Sequence, residues 1–457
     1  MATSNLLYCL SVLSLLPFIA SITIPLSPSH PNPNPTSDGY QRINHHVLSS
    51  LTRAYHLKNP QITSTTTQIF SHSYGAYTIS LSFGTPPQTL NLVMDTASNL
   101  VWFPCTRHYR CDNCTSTGSP AIPSFIPKQS STAKIVGCLN PKCPLIHSTQ
   151  DLQCQDCDSD STNSRNCTQI CPPYFIRYGL GSTGGIALSE NLNLLNQTIS
   201  NFIVGCSLTS SRQPTGIAAF GRGPTSLPSQ LGLRKFAYCL ISRQFDDTEK
   251  SSTLVLDSAS DSGDAKAVGV SYTPFLNYSE IAGKNAFSVY YYLSLRSITV
   301  GGQRVKVPYR FLVPGPDGIG GTIIDSGSTF SFMTGEVFEP LVAEFVAQVT
   351  NYSRAQDVEL LTGLRPCFNV RGAETLSFPE LKFQFKGGAD MALSLQNYIA
   401  LVGDGDAACL TVVTYGSAGP EGVIGPAIIL GNFQMQNYHV EYDLRNQRLG
   451  FKQEICT

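Results

Sequence analysis

Two aspartates in this chain of 457 residues stand where an apolar strand gives way to small, mostly hydroxyl-bearing residues. Asp95 runs into Thr96-Ala97-Ser98, and Asp325, after Gly321-Thr322-Ile323-Ile324, runs into Ser326-Gly327-Ser328. Two carboxylates held together cannot both ionise easily, so they share one proton and titrate as a unit. Such a pair supplies a general base for water and a general acid for a leaving amine, the requirements of amide hydrolysis at acid pH. The neighbouring residues suit that work. A tight turn aims backbone N–H groups at each carboxylate, the Ser98 and Ser328 hydroxyls donate to the outer oxygens, and Thr96 and Ser326 brace the turns against each other. Competing hydrolytic chemistries find little support. There is no Gly-x-Ser-x-Gly elbow and no His-Glu-x-x-His helix, and beyond residue 75 only His108, His147 and His439 are available as a base.

The elements that must position these residues are strands. Tyr77-Thr78-Ile79-Ser80-Leu81-Ser82-Phe83 alternates as a half-buried strand does, and Gly and Pro punctuate much of the rest. Helical periodicity is rare: Val337 to Val349 is the best candidate, and Leu48 to Leu57 forms a helix or two turns. Downstream of each aspartate lies an apolar stretch ending in Gly, Ile217-Ala218-Ala219-Phe220-Gly221 and Ile428-Ile429-Leu430-Gly431. The repeat predicts a mostly β, bilobal protein with one aspartate per lobe and the site in the cleft between them.

Composition sets the class. Hydrophobic residues make up 42% and charged residues 13%, a globular balance, and a net charge of −1 without basic runs argues against nucleic acid as a partner. Leu6 to Ala20 is uncharged and fits the apolar part of a signal peptide, assigned to residues 1–21. No stretch is long enough for a stable membrane anchor. Of the 15 cysteines, loss of Cys9 with the signal leaves an even number, as disulfides in an exported protein require. Cys111-x-x-Cys114 and Cys154-x-x-Cys157 read as disulfide cysteines rather than zinc ligands, with Cys105, Cys138, Cys143, Cys167 and Cys171 crowded around them. Sequons at Asn113, Asn166, Asn196, Asn277 and Asn351 mark glycosylation sites.

From Tyr74 onward the chain resembles the pepsin-like aspartic proteases, and most of all their plant, nepenthesin-type branch. Phe83-Gly84-Thr85-Pro86-Pro87-Gln88 precedes the first aspartate as in that branch, and Trp102, the only tryptophan, follows it by seven residues. Tyr174 to Ser182 resembles the β-hairpin flap that closes over substrate. The resemblance makes Tyr178 the flap tyrosine, with Gly179, Gly181 and Ser182 forming the hairpin and Trp102 its hydrogen-bonding support. Gly216 to Leu231 and Lys235-Phe236-Ala237-Tyr238-Cys239-Leu240 also resemble the plant branch, as does the cysteine-rich insertion between Cys105 and Cys171. A second-lobe disulfide between Cys367 and Cys409 is implied. One departure stands out: Ala97 replaces the family's usual glycine, and its methyl is expected to strain the turn or displace the carboxylate.

The resemblance divides the chain into a signal (1–21), a propeptide (22–74), an N-terminal lobe (75–270) and a C-terminal lobe (271–457). It implies a secreted, monomeric endopeptidase that takes protein or peptide substrates, without metal or cofactor, in apoplast or cell wall, with the vacuole as a second destination. Prosegments of the family mask the aspartates with basic groups. Here residues 21–75 hold Arg42, Arg53 and Lys58 against one acid, Asp38, and five of the eight histidines, His30, His45, His46, His56 and His72. Acidification is expected to charge these histidines and help expel the segment. Pro25, Pro28, Pro31, Pro33 and Pro35 read as a spacer unable to join a central strand. The competing expectation is a binding or inhibitor protein on the same scaffold, with Ala97 weakening catalysis.

Overall fold

The computed structural model describes residues 22–28, 39–58, 75–114, 122–147, 169–178, 181–195, 197–213, 215–242, 251–257, 268–276, 287–315, 318–415 and 425–456. Strands dominate. Strand β1 (Ile22–Pro28) is followed by helix α1 (Gly39–Lys58), then β2 (Tyr77–Phe83), β3 (Gln88–Asp95) and β4 (Trp102–Pro104). The alternation read over Tyr77 to Phe83 is a strand of those bounds, with Tyr77, Ile79, Leu81 and Phe83 buried.

Both halves repeat one local plan. β3 runs parallel to Ile217–Ala219, Ala219 standing opposite Asp95, and that short strand pairs antiparallel with β4. In the second half Thr322–Ile324 runs parallel to Ile428–Leu430, which pairs antiparallel with Ser331–Met333. The near-continuous Ile, Ala and Leu content of Ile217–Ala219, Thr322–Ile324 and Ile428–Leu430 follows from burial on both faces. Each aspartate therefore emerges at the end of a buried strand, rooted by its neighbours on both sides. A fifteen-stranded sheet spans the first half and takes in the C-terminal hairpin Tyr438–Asp443 and Arg448–Gln453, with Ser271–Pro274 at its edge. Smaller sheets of five, four and three strands build the second half.

Three elements differ from or extend the sequence reading. The segment around Leu48 to Leu57 belongs to a helix of twenty residues, and Val337 to Val349 lies largely within the helix Gly335–Gln348. The proline-bearing start is not only a spacer. β1 pairs with Ser252–Asp257 from Ile22 to Leu26 and with β2 from Leu26 to Pro28. Because the two pairings are staggered, Pro25 has a strand on one side only, where its missing N–H can face the unpaired side.

Helix α1 packs on the second half. Ile43, Val47, Ala54 and Leu57 form its buried apolar stripe and join a cluster with Phe287, Tyr290, Phe330, Phe332 and Val358. Disulfides link Cys105–Cys206, Cys111–Cys114, Cys143–Cys171, Cys239–Cys456 and Cys367–Cys409. Cys138 is also disulfide-bonded, while Cys154, Cys157 and Cys167 lie outside the described residues. Among the described residues no helix is long and apolar enough to cross a membrane.

Candidate active site

The two aspartate turns meet face to face. Ala97 N donates to Asp95 Oδ1 at 2.9 Å, and Gly327 N donates to Asp325 Oδ1 at the same distance. Ser98 Oγ donates to Asp95 Oδ2 at 2.5 Å and Ser328 Oγ to Asp325 Oδ2 at 2.7 Å. The turns are cross-braced: Thr96 N donates to Ser326 Oγ at 3.1 Å, and Ser326 N donates to Thr96 Oγ1 at 2.9 Å. Ser326 Oγ donates onward to Met94 O. Asn432, at the end of the second apolar-Gly stretch, donates from Nδ2 to Ser326 O and Gly75 O. Both carboxylates are buried, Asp95 at 2% and Asp325 at 0% exposure.

The turns are not equivalent in their tolerance of a side chain. A methyl built at Gly327 would lie 2.9 Å from Asp95 Cγ and Oδ1, too close to be accommodated without moving the carboxylate. Ala97 carries its methyl on the side of the cluster that holds Tyr290 and Tyr292, and its amide keeps the same hydrogen-bond length as Gly327. The expected displacement of the Asp95 carboxylate by Ala97 is absent from this geometry.

Sequence reasoning placed Arg53 among the basic groups of the N-terminal segment without singling it out. In the structure it lies between the aspartates. Its Nη2 reaches Asp95 Oδ1 at 2.6 Å and Asp325 Oδ1 at 3.3 Å, while Nε donates to Asp325 Oδ2 at 3.0 Å. The signal was present in the helix pattern: Ser50, Arg53, Ala54 and Leu57 share a face at helical spacing, so a charge sits on the buried stripe. Burial disfavours the guanidinium charge, but Asp325 and Asp95 outweigh it and raise the Arg53 pKa. Burial raises the Asp95 carboxyl against the opposing pull of Arg53. Asp325 meets the same burial, yet the charge and hydrogen bonds of Arg53 hold it below the ordinary carboxylate range.

The helix is pinned on either side of Arg53. Ser50 Oγ accepts from Phe330 N at 2.8 Å, and Lys58 Nζ donates to Pro426 O at 2.8 Å. Burial lowers Lys58 to about 8. His56 stacks obliquely on Tyr178, ring centroids 6.2 Å apart, and burial, with the nearby Arg53 charge, lowers it to about 3. His45 is lowered by burial as well.

Over this site hangs a hairpin of Tyr174–Arg177 and the long strand Ser182–Leu194. Tyr178 N donates to Gly181 O at 2.6 Å, and the Tyr178 hydroxyl accepts from Trp102 Nε1 at 2.6 Å. Gly179 lies outside the described residues. Burial, then the Asp95 charge, raises the Tyr178 pKa, so its hydroxyl stays protonated. Of the sequons, Asn113 and Asn351 are exposed, and Asn166, Asn196 and Asn277 lie outside the described residues. Cys143, His147 and Cys171 come together at metal-ligand spacing, but the two cysteines are joined in a disulfide and offer no thiolate.

Known proteins share this architecture. Models described as xylanase inhibitor N-terminal and C-terminal match residues 77–256 and 290–453. A probable aspartyl protease of Arabidopsis thaliana is 33% identical over 83% of this chain and 82% of its own length. Aspartic proteinase nepenthesin-2 of Nepenthes gracilis is 31% identical over 84% and 78%. Among solved structures, basic 7S globulin from soybean superposes with a TM-score of 0.61 at 17% identity, covering 95% of both chains. Conglutin gamma from lupine seeds gives 0.62 at 16% with the same coverage. These two share the fold. The paired aspartate turns and the extent of the sequence matches lead to one conclusion: the chain is an aspartic-type endopeptidase and belongs to the plant, nepenthesin-type branch of the pepsin-like aspartic proteases.

Proposed function

We propose that this protein is a secreted zymogen whose Asp95–Asp325 pair hydrolyses peptide bonds at acid pH once α1 has left the cleft. The observation that carries the reading is the reciprocal bracing of the two turns with Arg53 caught between their carboxylates. With the guanidinium gone, two buried carboxylates of like charge share one proton. One then takes a proton from water while the other protonates the leaving nitrogen, and the peptide C–N bond breaks through a tetrahedral intermediate. Ser98, Ser328 and the amides of Ala97 and Gly327 fix the carboxylate planes, and Thr96 and Ser326 hold the turns in register. The hairpin with Tyr178, Gly179, Gly181 and Ser182, supported by Trp102, covers an extended peptide and excludes water. Residues 22–74 act as the propeptide between a signal at 1–21 and the lobes 75–270 and 271–457. The enzyme works as a monomer, glycosylated at its sequons.

The test is cleavage of denatured haemoglobin or casein across pH 2–7 by purified protein, with Asp95→Ala and Asp325→Ala controls and a pepstatin-treated sample. Acid-dependent cleavage lost in both variants is the expected result. Absence of cleavage at every pH by folded protein lacking residues 22–74 sinks the reading.

A further inference from the structure

Arg222 carries a charge into the junction between the two halves, and among the described residues no carboxylate pairs with it. Its side chain lies over Phe275 and Tyr291, at 5.9 and 6.0 Å from the ring centroids. Nη1 donates to Leu276 O at 3.3 Å and Nη2 to Gln447 Oε1 at 2.7 Å, while its backbone N–H donates to Val289 O at 3.0 Å. All of these acceptors belong to the second half of the chain, whereas Arg222 follows the apolar stretch that flanks Asp95.

Both ends of this contact lead to an aspartate. Phe220 N donates to Asp95 O at 2.7 Å and Gly221 N to Ser98 O at 2.8 Å, so the backbone just before Arg222 is strapped to the first turn. Tyr291 donates from its hydroxyl to Phe220 O at 3.0 Å and stands opposite Ile324, the residue before Asp325, in the sheet. Val289, which accepts from Arg222, is the neighbour of Tyr290, whose phenol feels the charges of Arg53 and both aspartates. Arg222 is thus one part of a second route between the turns, separate from the Thr96–Ser326 brace.

We infer that Arg222 is a positioning residue for peptide hydrolysis: through Phe220–Gly221 on one side and Tyr291 on the other, it sets the spacing of the two aspartates. Burial lowers its pKa without making it neutral at acid pH, so the clamp persists where the enzyme works. The two apparent pKa values of a coupled carboxyl pair depend on that spacing, since like charges farther apart interact less. Loss of the clamp therefore draws the acid and alkaline limbs of the pH profile toward each other, in addition to slowing the reaction.

The inference rests on the Asp95–Asp325 reading and is tested on protein processed to remove α1. Arg222→Gln is expected to lower kcat/KM by roughly 10- to 100-fold and to narrow the bell-shaped profile. Arg222→Lys, which keeps the charge but only one donor nitrogen, recovers part of both. Tyr291→Phe removes only the hydroxyl to Phe220 and narrows the bell less; it decides the matter if Arg222→Gln does not fold. A profile of wild-type width in the folded Arg222→Gln variant, or in Tyr291→Phe where the former fails to fold, overturns the inference, whatever the change in thermal stability. A wild-type enzyme without a bell, or one still active as Asp95→Ala, removes the dyad reading first and is recognised before any Arg222 variant is measured.

Discussion

Ala97 and Gly327 occupy matching places in two turns of the same design, yet the surroundings give a methyl opposite consequences. The methyl of Ala97 packs into an apolar cluster and leaves its amide at 2.9 Å from Asp95 Oδ1. A methyl at Gly327 would press on the Asp95 carboxylate. Ala97→Gly is therefore expected to leave kcat/KM within roughly threefold of wild type, whereas Gly327→Ala, by shifting a reacting carboxylate, costs on the order of 100-fold. Steady-state kinetics of the processed enzyme on one peptide checks both. A large gain in Ala97→Gly would mean that the alanine does impair the site. The aspartates and their hydroxyl neighbours were legible in the sequence because turn chemistry is local: three residues after each carboxylate specify its donors. The asymmetry between residues 97 and 327 was not, because it depends on what the other turn brings into van der Waals reach.

Helix α1 combines an apolar stripe with one guanidinium, and the acid response expected of the proposed propeptide follows from what the helix buries. Asp325 is held below its ordinary value while Arg53 is in place. A carboxyl depressed in the closed form stabilises closure above its free pKa, and that contribution disappears as pH falls through the depressed value. His56 acts in the same direction for a different reason. Its free value of 6.5 is lowered to about 3 by burial, so closure keeps the ring neutral and weakens progressively as pH falls from 6.5 toward 3. Lys58, lowered to about 8, is charged throughout that interval and adds no acid dependence. His56→Gln should therefore move the midpoint of acid activation to lower pH, followed by appearance of the processed band and of activity; an unmoved midpoint would remove His56 from the switch. Arg53→Met breaks a buried ionic contact, a loss of roughly 3–5 kcal/mol, and should yield activity from unprocessed chain without an acid pulse. The sequence exposed a basic, histidine-rich segment. It did not show that docking of the helix buries His45 and His56 and lowers both, because burial belongs to the docked helix.

At the scale of the whole molecule the repeat was readable, since both halves carry an aspartate turn followed by an apolar stretch ending in glycine. What escaped was the contribution of the N-terminal segment to the scaffold. Pro25 spoke against a central strand, and only the stagger of two neighbours makes room for it. Ile22, Ile24 and Leu26 are buried there, so a chain begun at residue 75 should melt roughly 10 °C lower than the full one. A synthetic peptide of residues 22–28 should restore part of the difference in a thermal scan, and an equal melting point would deny β1 a supporting role. The strand that bridges β2 and Ser252–Asp257 and the helix that carries Arg53 to the aspartates follow one another in sequence ahead of residue 75. Under the proposed processing, loss of α1 would therefore also withdraw the covalent tether of the strand between β2 and Ser252–Asp257. If the proposed processing takes place, the product either retains residues 22–28 as a separate, non-covalent strand or re-lays another segment between β2 and Ser252–Asp257, and native mass spectrometry distinguishes a two-chain product from a one-chain one.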